Sequence, residues 1–140
     1  MKTININGSD YTVEQLTKIL EEAKKKSPMD KVYEYHNTTE EEFENLYKNL
    51  PLNVKYHQKE VMIVNYYNKG EKADFKNANQ KKYYGWFYLD EFRFCRSYWG
   101  GSGPNVAASL CFVGKNAEKN LKEATVEFFE EFKLSRTALL

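Results

Sequence analysis

Histidine is scarce in this 140-residue chain, which holds only His36 and His57, and cysteine is equally scarce, with Cys95 and Cys111. That scarcity removes the commonest routes to side-chain chemistry. Neither histidine stands in a recognisable nucleophile–base pattern, and a cysteine hydrolase needs a thiol activated by a nearby imidazole. No CxxC or HxxxH spacing exists to hold zinc. Cys111 lies in the apolar run LCFV, where desolvation raises a thiol pKa, and Cys95 would point to the opposite strand face from its neighbour Arg96. Both are expected as reduced thiols in a cytoplasmic protein, the alternative being a disulfide between neighbouring strands.

Long apolar runs are absent as well. Nothing approaches the roughly 18 residues of a membrane span, and MKTININGSDYT has no apolar core of a secretory signal, so no membrane partner is expected. Charge of one sign is also missing. With 21 basic and 20 acidic residues the net charge is +1, so an electrostatic partner has to be read by a local patch. Asp90 and Glu91 suit a hairpin tip better than an acid–base pair. The GGSG of residues 100–103 lacks the Lys-Ser/Thr of a phosphate cradle and leads into a strand instead of a helix. No enzyme activity, metal or cofactor is expected.

Aromatic residues, in contrast, are plentiful: 11 Tyr, 9 Phe and 2 Trp make 16% of the chain, which rules out a generic disordered sequence. The length suits one domain over residues 1–140 with its own core. Thr3 to Asn7 reads as a short strand turning at Asn7-Gly8. A helix follows, with Thr12 and Gln15 spaced as a capping box, Tyr11 and Leu16 as a staple, and a stripe of Val13, Leu16, Ile19, Leu20 and Ala23. Ser27-Pro28 reads as its end, and Asp30 to Asn37 as a connector or short strand. A second helix starts at Thr38 or Thr39, buries Phe43, Leu46, Tyr47 and Leu50, and stops at Pro51.

The stretch from Asn53 to Asn68 contains a strand-like VMIV. Even so, Val54, His57, Val61, Val64 and Tyr67 repeat at helical spacing and Gly70 offers a stop, so a buried helix is expected. Glu71 to Gln80 reads as a polar loop anchored by Phe75. Asn116 is placed to cap a last helix with Ala117, Leu121, Ala124, Phe128 and Phe132 inward and Phe129 widening the apolar face. The fold class is α+β: a small antiparallel sheet, a hairpin plus a third strand, packed by about four helices on one face.

The hairpin carries the functional signal. In KKYYGWFYLDEFRFCRSYWGG, an Asp90-Glu91 turn would set Phe87 opposite Phe94 and Tyr83 opposite Tyr98, with a slip of one residue as the alternative because Asp-Glu is not a favoured turn. Tyr84, Trp86 and Tyr88 then line the other face opposite Ser97, Cys95 and Arg93. Gly100 to Asn105 forms a flexible loop, and Val106 to Val113 a third strand with Val106, Ala108, Leu110 and Phe112 inward. Aromatic faces flanked by cations hold single-stranded nucleic acid, and the same residue types anchor protein interfaces. The candidate binding residues are Lys82, Tyr84, Trp86, Tyr88, Arg93, Arg96 and Trp99. Lys82 to Phe87 echoes part of the aromatic strand motif of RRM domains but misses its first glycine.

From Asn79 to Phe132, the blocks NQKKYYGWF and SYWGGSGPNVAASLCFVGKNAEKNLKEA with the aromatic helix end resemble small uncharacterised proteins of phages and mobile elements in Bacteroidetes-type bacteria. Gly85 stands where those proteins tend to carry proline, and Ser109 where they carry arginine. INGSDYTVEQL is similar to openings common among such proteins. The resemblance assigns no residue a role, and it implies a setting: a phage or prophage accessory protein acting in the host cytoplasm. In that setting a small non-enzymatic protein is expected to inhibit a defence effector, as anti-CRISPR proteins do, with a host defence protein or ribonucleoprotein as partner. A small RNA or single-stranded DNA binder and a virion component are the alternatives.

Overall fold

A computed structural model of the chain describes residues 2–24, 27–88, 93–100 and 108–137, without the side chains of Lys24, Cys95 and Tyr98. It has the expected α+β architecture. Strands β1 (Thr3–Ile6) and β2 (Ser9–Thr12) form an antiparallel hairpin. Asn7 and Gly8 connect them with φ of 52° and 86°, the positive values that a two-residue turn matched to strand twist requires. Helix α1 (Val13–Lys24) starts on the expected capping box. The Thr12 N–H donates to Gln15 Oε1 at 2.8 Å, and the Gln15 N–H donates to Thr12 Oγ1 at 3.2 Å. The apolar stripe of α1 was expected to be buried, but Val13, Ile19 and Leu20 are exposed. These three elements pack chiefly on one another, so local signals build the unit without a core to receive its stripe.

Residues 30–37 are neither connector nor strand. Helix α2 (Pro28–Tyr35) begins where the first helix was expected only to end. Pro28 supplies a preset φ and no orphan N–H at the first helical position, while Asp30 accepts from the Ser27 N–H at 2.9 Å. Val32 and Tyr33 are buried on its inner side. Helix α3 (Glu40–Tyr47) is capped by Thr39, whose Oγ1 accepts from the Glu42 N–H at 3.2 Å. It buries Phe43, but Leu46 and Leu50 are exposed, contrary to the expected stripe.

The ambiguous segment is helical: α4 (Leu52–Asn68) runs seventeen residues and ends where Lys69 and then Gly70 take positive φ. Its VMIV run places Met62, Ile63 and Val64 in the core, which explains why it looked equally suited to a buried strand. Helix α6 (Phe129–Thr137) packs along α4, and α2 also packs against it.

The expected last helix is two, α5 (Ala117–Glu127) and α6, broken at Phe128 with φ −114° and ψ 35°. Asn116 occupies the start of α5 without a side-chain cap. All five residues expected inward, Ala117, Leu121, Ala124, Phe128 and Phe132, are buried, because the break keeps both halves turned to one core with Val32, Tyr33 and Ile63. Together with the helix at 28–35, the break raises the described helices to six, against the expected four.

Strands β3 (Lys82–Tyr88) and β4 (Arg93–Gly100) form the second antiparallel pair. The third strand does not form in the described residues: Ala108–Leu110 is a single 3₁₀ turn, and only Phe112 bridges the sheet. The Phe112 N–H donates to the Tyr83 carbonyl at 2.7 Å, and the Tyr83 N–H donates to the Phe112 carbonyl at 2.8 Å. The reason pairing stops there lies on α4. The Asn68 side-chain amide donates to the Cys111 carbonyl at 2.9 Å and accepts from the Val113 N–H at 3.0 Å, doing for this segment what a neighbouring strand would do. Cys111, Phe112 and Val113 are all buried, unlike the alternation of a strand with one wet face, while Ala108 is exposed. Val106 and the Asp90-Glu91 turn lie outside the described residues.

Candidate functional site

The register of the second hairpin combines the two readings that its sequence allows. Phe87 pairs with Phe94 and Tyr88 with Arg93, as a tip centred on residues 90 and 91 requires. A bulge between Trp86 and Phe87 then shifts the rest by one residue, so Trp86 pairs with Arg96, Gly85 with Ser97, Tyr84 with Tyr98 and Tyr83 with Trp99. The bulge re-sorts the faces. Tyr83, Phe87 and Phe94 turn toward the helices, where Phe87 stacks on Phe132 at 5.9 Å and meets Phe94 edge-on at 5.7 Å. Gly85 lies on this inner face, and a Cβ there would come within 2.8 Å of the Phe87 ring.

The outer face carries four of the seven candidate residues in two cross-strand pairs, Trp86 with Arg96 and Tyr88 with Arg93. All four are exposed, Trp86 to 47%. The Arg93 guanidinium carbon sits 4.4 Å from the Tyr88 ring centroid, within cation–π range.

The other three candidates are not exposed on that face. Lys82 shares the outer face by strand alternation, but it is 0% exposed and unsuited to a phosphate. Its ammonium donates to the carbonyls of Asn77 at 2.7 Å and Gln80 at 2.8 Å, with the Phe75 ring 5.9 Å away. The 71–80 loop therefore closes over this end of the hairpin, with Lys82 as its internal tie. Tyr84 is buried as well. Trp99, exposed to 56%, shares the inner side with Tyr83 and lies under the Lys81 ammonium at 4.6 Å. The two tryptophans thus stand on opposite faces, as alternation and the shifted register dictate.

Some contributors were not legible in the chain. Ser97 donates to Glu118 on α5 at 2.9 Å, and that hydrogen bond, with Lys122 beside it, holds the Glu118 carboxyl below its usual pKa. Beside the same helix, Arg93, Phe94, Lys122, Thr125, Val126 and Phe129 line a groove of roughly 530 Å³. No spacing rule links residues 93–94 to 122–129, because only folding brings them together.

Burial pushes the Cys111 thiol up to about 11, opposed by the positive charge of Lys82, so it remains a protonated core group at neutral pH. Cys95's side chain is outside the described set. His36 Nε2 lies 3.0 Å from the Met62 carbonyl and is tied to α4, while His57 is exposed. Among the described residues no group of three or more His, Cys, Asp or Glu is placed to hold a metal, and no helix is long and apolar enough to cross a membrane. No known protein family, curated protein or solved structure matches the chain.

Proposed function

We propose that this chain is a binding protein that engages another protein through Trp86, Tyr88, Arg93 and Arg96. The observation that carries this reading is the juxtaposition of two cross-strand aromatic–arginine pairs on one exposed face. Trp, Tyr and Arg are the residue types that dominate protein hot spots, since each combines a large apolar surface with a directional polar group. A protein is favoured over RNA for two reasons. Lys82 is withdrawn, which leaves Arg93 and Arg96 as the only cations among the candidate residues on that face. Arg93 also covers one face of the Tyr88 ring, which a stacked base would need. The resemblance to phage accessory proteins extends the proposal: the partner is a host defence effector, and the outcome is its inhibition.

A plating assay tests this directly. The chain is expressed in hosts carrying single defined defence systems, each challenged with a phage that the system restricts. Restored plating in one host, lost with Trp86→Ala and with Arg96→Ala while both variants stay folded, is the expected result. The proposal fails if no host in a broad panel is protected, or if those variants protect fully. Short labelled RNAs titrated at two salt concentrations supply the competing outcome. Tight binding that weakens with a slope near about −0.7 per phosphate contact, and that is lost with Arg93→Ala and Arg96→Ala, would move the function to nucleic acid.

A further inference from the structure

Two of the apolar surfaces outside the β3–β4 face stay exposed among the described residues. On α1, Val13, Leu16, Ile19 and Leu20 fall in one sector of the helix, and all but the half-buried Leu16 are exposed. The second surface is the corner between α3 and α4, where Leu46 is 73% exposed and Leu50, Leu52 and Val54 are exposed too. Leu46 borders a hollow of roughly 210 Å³ with Phe43, Tyr47 and Gln58, and Val54 stands one turn before Gln58 on α4, so hollow and corner form one surface. Monomers rarely expose contiguous apolar patches beyond a few hundred Å².

We propose that the chain is a dimer in which α1 of each copy lies on the α3–α4 corner of the other. Within one copy α1 packs chiefly on its own β2. A reciprocal exchange covers both surfaces twice and closes with two-fold symmetry, leaving neither patch open to extend a filament. The area is sufficient. Ile4 and Ile6 of β1 add to the exposed aliphatic groups of the α1 unit. At roughly 50 Å² for each half-exposed aliphatic side chain, the two surfaces on both copies supply about 900 Å² of apolar area. With the usual polar share of an interface this becomes about 1,600 Å², the size of a standard stable complex. A net charge of +1 sets up little repulsion between copies.

Light scattering after size exclusion, on the full chain at several concentrations, tests the arrangement with Leu20→Glu, Leu46→Lys and an equal mixture of the two. The wild type is expected at twice the monomer mass. Each variant alone should weaken dimerisation by roughly tenfold or more while keeping its circular dichroism, since both positions are exposed. The mixture should recover dimer, because one contact sets the intact α1 of the Leu46→Lys copy on the intact corner of the Leu20→Glu copy, and the other sets the introduced carboxylate against the introduced ammonium. A wild type that stays monomeric at hundreds of micromolar overturns the proposal. A mixture that does not recover overturns it too, because it would mean that like surfaces meet like.

Discussion

Lys82 and Arg93 stand on the same face of the same hairpin, each with an aromatic ring near its charge, and their circumstances are opposite. Lys82 is enclosed by the 71–80 loop and gives its N–H groups to two backbone carbonyls. Arg93 lies at the other end, exposed over Tyr88. A lysine can be buried at a bearable cost only when carbonyl dipoles replace its water, and Asn77 and Gln80 do so. Arg136 follows the same rule across the molecule. It forks onto Glu60, which is 1% exposed, with contacts of 2.7 to 3.1 Å, while its guanidinium lies 5.1 Å from the Phe87 ring. Neighbouring residue types are alike in all three cases. What separates the enclosed cations from the exposed one is which segment folds over them.

The contrast can be broken most severely at the Glu60–Arg136 pair. Glu60→Ala strips the carboxylate from the Arg136 fork and from the hydroxyl of Ser135, removing the polar tie between α4 and α6. It should cost about 3–5 kcal/mol in denaturant unfolding, the scale for removing one partner of a buried pair. A loss below about 1 kcal/mol would place this cluster among the dispensable surface pairs.

The next effect is a pH dependence. The native Cys111 thiol holds its proton up to about 11, whereas the unfolded thiol releases it near the ordinary 9.0. Between those two values the unfolded state binds fewer protons than the native state, so stability falls as pH rises, by up to about 1.4 kcal/mol per pH unit. Tyr33 and Tyr67, raised mainly by burial, add to the loss further into alkali, where the Glu127 carboxylate also disfavours a charged Tyr67. Unfolding curves from pH 8 to 11 should show this decline, shallower at its start in Cys111→Ala. A variant with an unchanged slope would mean that the thiol is wetter than its burial indicates.

The sharpest version of the contrast needs two substitutions read side by side. Lys82→Met leaves the Asn77 and Gln80 carbonyls without their donor and should cost about 1–2 kcal/mol of stability while leaving partner binding unchanged. Arg93→Ala should change stability by less than about 0.5 kcal/mol and abolish binding. The reverse pattern, with Lys82→Met folded but unable to bind, would return the lysine to the working surface.

Much of the fold was legible because it rests on short-range rules. The Asn7-Gly8 turn, the Thr12–Gln15 box and the Thr39 cap are each made within a few residues, so spacing alone exposes them. The inner residues of the last two helices were legible from period, and the period survived the break at Phe128. The helix at 28–35 was misread because Ser27-Pro28 serves equally as the stop of one helix and the start of the next. The third strand was misread because its alternation cannot reveal that Asn68, more than forty residues away, takes the place of a strand partner. At the candidate face, residue types singled out this hairpin, and the bulge decided which of them stand together.

By itself, then, the sequence determined the first turn, the helix caps, the inner residues of the last two helices and the aromatic–basic character of the hairpin, because each depends on neighbours within a turn or two. Only tertiary structure decided that Lys82 and Tyr84 are buried, that Trp86 and Trp99 part to opposite faces, and that Glu60 meets Arg136. Those outcomes depend on which distant segment displaces water from a side chain, and desolvation is a property of three-dimensional packing that no spacing along the chain encodes.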